Sequence, residues 1–227
     1  MEEIIKPFKK SLFDNNIKEI CINISEVGID SFLQEGLIKD IPIVSTIVKL
    51  GQFAYNVYDR NLLRQTFVFI KQFNNNSVEP EKLEKYKESL EKDFSKAEKE
   101  LGRVLIILNK IIDSKKSVIL AKLYSAYINQ NITWEDFCEL SDANDRLFVK
   151  DISILYDIYD SKGECIKENH NYIYQRLMSI GFVKNELIPE KNIFQNIIQI
   201  EPLENQVNVT KLINITSLGN KFCEICR

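Results

Sequence analysis

Histidine is almost missing from this chain of 227 residues: His170 stands alone, beside one Trp, two Met, seven Gly and five Pro. One imidazole gives no histidine pair for a zinc centre, and so few glycines give no phosphate-cradling loop. The same scarcity of Gly and Pro means few turns, which points to a helix-rich chain. A basic excess is missing too. Thirty Lys and Arg stand against 33 Asp and Glu, a net charge of −3, whereas a protein held to nucleic acid by bulk electrostatics is basic. The five cysteines are odd in number in a chain long enough to fold without staples, so reduced thiols are expected. No basic region followed by an apolar run opens the sequence, where Glu2 and Glu3 stand instead, so no secretory signal is expected. The expected location is cytoplasmic, with a peripheral place at the inner membrane. Asn23, Asn131, Asn208 and Asn214 then carry no glycosylation meaning. What is present is 44% hydrophobic and 28% charged, enough apolar material for a real core.

The N-terminal half is predicted to be a helical bundle over residues 1–113. Apolar residues from Ile4 to Leu33 fit two short helices, the second capped by Asp14 or Asn15, and Gly36 and Pro42 then mark a linker. From Ile43 to Arg60 the polar residues Ser45, Lys49, Gln52, Asn56, Asp59 and Arg60 fall within about 100° of one helix face. The remaining circumference is apolar, and Ile43, Ile47, Val48, Phe53 and Val57 are its candidate interaction residues. Asn61 to Phe73 is also more apolar than a surface helix requires, which makes 43–73 a hydrophobic helical pair. Two readings stand beside each other: the pair is the core of the bundle, or it is a membrane-active or partner-binding element. An obligate span is disfavoured, since a central Lys49 costs about 2.5–3.5 kcal/mol on insertion scales.

Glu79-Pro80 is predicted to open one long helix over about 80–112. Its apolar seam runs Leu83, Tyr86, Leu90, Phe94, Ala97, Leu101, Val104, Leu108 and Ile111 in alternating three- and four-residue steps. In the resting state the pair 43–73 is expected to lie against it. Glu81 with Lys85 and Glu88 with Lys92 have the favourable i,i+4 order, so the face from Glu79 to Glu100 reads as solvated. The seam would allow a homodimer or be satisfied within one chain.

Residues 114–227 are predicted to form a second module, helical and then winged-helix-like α+β. Helices are expected over 118–128, 134–140, 144–159 and 169–180, the last stopping at Gly181. Extended stretches follow near 182–188, 193–200 and 207–215, and Thr216 or Ser217 caps a final helix. In a winged helix, 169–180 would be the recognition helix. Gln175 and Arg176, with Lys191 in the wing, are the candidate nucleic-acid or partner contacts. Thirteen basic against 15 acidic residues in 114–227 favour protein docking over DNA. Cys223-x-x-Cys226 has no second such pair and no nearby His, so it is not expected to hold zinc or cycle redox state. No catalytic, cofactor-binding or metal-ligating set emerges, and the chain is expected not to be an enzyme.

Several strings resemble one bacterial family. Ile41-Pro42-Ile43-Val44-Ser45-Thr46-Ile47-Val48-Lys49-Leu50, then Asp59-Arg60-Asn61-Leu62-Leu63 and the run Phe69-Ile70-Lys71, are similar to the core of the Abi-alpha family of abortive-infection proteins. Ile132-Thr133-Trp134-Glu135-Asp136-Phe137, Asp145-Arg146-Leu147-Phe148 and Ile215-Thr216-Ser217-Leu218-Gly219-Asn220-Lys221-Phe222 extend the resemblance over most of the chain. Ser45 stands where the family pattern has glycine. The resemblance implies a non-enzymatic component of a bacterial phage-defence system, and it transfers no catalytic residues. The partners expected are a protein or a second copy first, a membrane surface next and nucleic acid last. The alternative is a winged-helix-like cytosolic adaptor or transcriptional regulator.

Overall fold

The structure, a computed structural model, describes residues 2–14, 16, 17, 20, 41–50, 57–161, 171–189 and 209–227. Among them the fold is mainly helical. Ten helices occur: α1 Glu2–Phe13, α2 Pro42–Leu50, α3 Val57–Asn75, α4 Pro80–Lys92, α5 Phe94–Lys110, α6 Ser114–Ile128, α7 Trp134–Arg146, α8 Asp151–Ser161, α9 Asn171–Ile180 and α10 Ser217–Cys226. Strands β1 Val183–Pro189 and β2 Val209–Ile215 form one antiparallel two-stranded sheet, with Val183 opposite Ile215 and Pro189 opposite Val209.

Two compact units divide the chain at Asp145 and Arg146, not at residue 113 as the break before α6 suggested. The reason is aromatic. Tyr124 of α6 is fully buried, with its ring centroid 5.8 Å from Phe69, 6.0 Å from Phe73, 6.1 Å from Tyr86 and 5.5 Å from Phe137. Offset and edge contacts at such distances add to the large area each ring buries. They tie α3, α4, α6 and α7 into one core, so α6 and α7 belong to the first unit.

The long helix predicted over 80–112 is a helical hairpin. Asp93 ends α4 and caps α5, its backbone extended and its carboxylate accepting from the Lys96 N–H at 3.0 Å. In one straight helix residues 86 and 100 would lie about 21 Å apart along the axis; here Tyr86 Oη is 2.6 Å from Glu100 Oε2. The apolar seam continues unbroken through Asp93, and with no Gly or Pro there the periodicity concealed the turn. The surface pairs Glu81–Lys85 and Glu88–Lys92 form as expected.

The boundary predicted at 60/61 is absent, because α3 runs through it from Val57 to Asn75. Residues 51–56 lie outside the described residues, as does the stretch 193–200 predicted to be extended. Helix α7 continues to Arg146, so the predicted 144–159 helix begins later, at Asp151 of α8.

The second unit, Arg146–Arg227, is built round α8, α9, the hairpin and α10. Gly181, at φ +90°, ends α9 in a conformation that a residue with a Cβ adopts poorly. Thr216 caps α10 by accepting from the Gly219 N–H, and its hydroxyl donates to Gly181 O at 2.6 Å. Phe182 and Phe222 meet at 4.6 Å between ring centroids.

Candidate functional site

The predicted hydrophobic pair is divided between two different neighbours. In α2, Ile43 and Ile47 are buried, and α2 lies chiefly against α1, where the Ile43 N–H donates to Ser11 Oγ at 3.0 Å inside the core. In α3, Leu63, Phe67, Phe69, Ile70 and Phe73 are buried, and its main neighbour is α6. The helix 80–112 expected to cover the pair is therefore a secondary contact. Ile43 and Ile47 are core residues. The Val48 side chain and Phe53 lie outside the described residues. Val57 differs from both groups, because it is 76% exposed, as is Tyr58 beside it.

Buried polar groups of the first unit gather in two hydrogen-bonded centres, while Thr66 Oγ1, Arg103 Nε and Asn144 Oδ1 are buried without a hydrogen-bond partner. Gln65, wholly buried, donates to Asn61 Oδ1 and to the Ile112 carbonyl at 3.0 Å and accepts from Ser117 Oγ at 2.8 Å. Asn61 also donates to the Ile111 carbonyl at 2.7 Å. This network fixes the α5–α6 junction to the first turns of α3. Ile112 itself projects outward, 87% exposed. Sequence periodicity could not show this junction, since its partners are about 50 residues apart along the chain.

Glu100 is the other buried polar centre, only 4% exposed although its sequence neighbourhood reads as solvated. Its two carboxylate oxygens accept from Tyr86 Oη at 2.6 Å and Tyr127 Oη at 2.9 Å. The hydroxyls of Tyr86 and Tyr124 are 2.6 Å apart. Each has one proton, and the carboxylate is the stronger acceptor, so Tyr124 donates to Tyr86 and Tyr86 to Glu100. Burial first, and then neighbouring negative charge, pushes the Tyr86 phenol well above its usual 10.0. Burial likewise raises Tyr124, and burial reinforced by Glu100 raises Tyr127. Phenols held in their neutral form and donating to a carboxylate are a structural clasp, not a set of general bases.

A cavity of about 210 Å³ lies between α1 and the α4–α5 turn. Ile5, Leu90, Phe94 and Ala97 line it, and its charged residues are paired as Lys6 with Glu2 and Lys9 with Glu91. It contains no nucleophile beside a base.

In the second unit Arg176 is committed inward. Its Nε and Nη2 donate to the two carboxylate oxygens of the fully buried Asp151 at 2.8 and 2.5 Å. The guanidinium also lies 4.6 Å from the Phe148 ring centroid and 4.9 Å from that of Tyr172. Arg176 thus organises the fold, while Gln175 on the same helix is exposed. Lys191 lies outside the described residues. Cys223 and Cys226 are both buried, and burial pushes the Cys223 thiol up to about 12, far from the reactive thiolate range. Among the described residues no group of three or more His, Cys, Asp or Glu is placed to hold a metal, and no helix is long and apolar enough to cross a membrane.

No protein-family model, no curated protein and no solved structure matches the chain.

Proposed function

We propose that the protein is a non-enzymatic component of a bacterial phage-defence system that acts by docking through its N-terminal helical unit. The resemblance to the Abi-alpha family supplies the biological setting. One structural observation supports the mode of action: Val57 and Tyr58 at the start of α3 and Ile112 after α5 are 76%, 76% and 87% exposed in a unit whose other large apolar side chains are mostly buried. Large exposed apolar side chains favour a contact surface over a reaction centre. The working surface in this reading is the edge of the predicted helical pair, at Val57, and not the buried Ile43 and Ile47. Release of α2 from α1 on a trigger would enlarge it. Cells expressing the wild-type chain, challenged with phage, are expected to survive or to restrict plaques, and Val57→Asp is expected to remove that protection. Equal protection by the variant, or none by the wild type, would count against the proposal.

A second reading attaches to the second unit. The order of α9, an antiparallel hairpin and α10 supports a winged-helix-like adaptor, with a regulator of transcription as its DNA-binding form. Arg176 is occupied by Asp151, which favours a protein partner at the exposed Gln175 face. A salt-dependent shift of duplex DNA at about 0.05 M salt would favour the DNA form, and no shift would remove it.

A further inference from the structure

The α3 N-terminus and the α5–α6 junction form one surface. Val57 and Tyr58 lie one helical turn before Asn61, whose side chain holds the Ile111 carbonyl, and one turn further Gln65 holds the Ile112 carbonyl. Val57, Tyr58 and Ile112, all exposed, therefore lie at the same end of the unit, within about two helical turns along α3.

The charge around them is opposite in sign to that of the whole chain. Arg60 and Arg64 are exposed and fall within about 60° of Val57 around the α3 axis. Asp59 lies about 200° from Val57, on the other side of the helix. At the junction Lys110 and Lys115 are exposed and Lys116 is half-buried. Of the acids there, Asp113 accepts from the Lys115 N–H as the α6 cap, and Asp145 lies beside Lys116, whose ammonium donates to the Asp145 carbonyl at 2.6 Å. Residues 57–64 and 109–116 have five cations and two acids, and with Asp145 as a third acid the surface still has two cations in excess, in a protein whose net charge is −3. The N-termini of α3 and α6 add partial positive charge at the same end.

From this juxtaposition we propose that the surface formed by Val57, Tyr58 and Ile112, with Arg60, Arg64, Lys110 and Lys115 around it, docks onto an anionic lipid bilayer. The side chains match that occupant by type. An aliphatic pair and an amphipathic tyrosine enter the headgroup region, and long cationic stems extend to the phosphates. The contact is peripheral and electrostatically assisted, so its strength falls with salt. This proposal rests on the docking reading above and names its partner.

The test is flotation of the full chain with vesicles of phosphatidylglycerol and phosphatidylcholine in equal parts, or of phosphatidylcholine alone. Binding to the anionic vesicles is expected to exceed binding to the neutral ones by about tenfold or more at low salt and to vanish near 0.5 M, roughly the ionic strength at which screening is short-ranged. Val57→Asp with Ile112→Asp is expected to abolish binding. Lys110→Glu with Lys115→Glu, which leaves every apolar contact in place, is expected to abolish it as well, with unchanged helical circular dichroism. Absence of anionic binding by the wild type, or wild-type binding by the lysine variant, overturns the lipid assignment. If the wild type does not bind vesicles and the apolar variant still loses phage protection, the docking reading stands and its partner is a protein. Loss of vesicle binding with protection intact upholds the lipid contact and removes the docking reading.

Discussion

Glu100 illustrates what a single residue contributes inside this core. Its carboxylate is buried, and its hydrogen bonds to Tyr86 and Tyr127 replace lost water. Tyr127→Phe removes one charge-assisted bond and is expected to lower unfolding free energy by about 1.5 kcal/mol in a urea titration. The phenols also set an alkaline limit. Tyr86, Tyr124 and Tyr127 have raised native values, so their stabilisation is complete below the unfolded value of 10.0 and is lost as pH rises above it toward the native values. Stability measured by denaturant midpoint should therefore fall above about pH 10. In Tyr127→Phe that alkaline decline should be shallower. None of this was legible at Glu100 in sequence, where i,i+4 charge spacing made the whole face read as solvated. Its hydroxyl partners lie 14 residues before and 27 residues after it.

At the level of elements, caps and close approaches decide where chain segments begin and turn. Asp93 is the clearest case: apolar periodicity predicts one helix, and a single side chain accepting from the Lys96 N–H turns it into a hairpin. Asp93→Ala is expected to cost about 1 kcal/mol in thermal or urea unfolding. The apolar seam on both sides of Asp93 gives no sign of this turn. Of the two caps the sequence offers for α10, Thr216 and Ser217, it is Thr216 that accepts from the Gly219 N–H. Gly219 shows a constraint no pattern could show. A Cβ there would meet Phe182 O at 2.2 Å, so α10 sits directly on that carbonyl. Gly219→Ala is expected to destabilise the second unit by about 2 kcal/mol or more, seen as a lower melting temperature. Both β1 and β2 are legible as extended stretches, with alternation only in the second, whereas the sequence groups α6 and α7 with the C-terminal half because neither periodicity nor charge says which core a helix joins.

For the molecule as a whole, two compact units divide the chain. The first has a core in which buried Gln65 and Glu100 are hydrogen-bonded, and its three most exposed large apolar residues lie where α3 begins and just after α5. The second commits Arg176 to Asp151 and buries Cys223 and Cys226. The mainly helical class was legible because glycine and proline are few and apolar positions recur at helical spacing. The location of the exposed edge was not, because a greasy helix face reads the same whether a neighbour covers it or not. Ile43 and Val57 belong to one apolar pattern, and only the fold separates a core residue from a surface one. The most direct test is efficiency of plating on cells expressing the wild-type chain or Ile112→Asp, with unfolding midpoints measured on both purified proteins. The account predicts equal midpoints and loss of protection in the variant; equal midpoints with undiminished protection would contradict it.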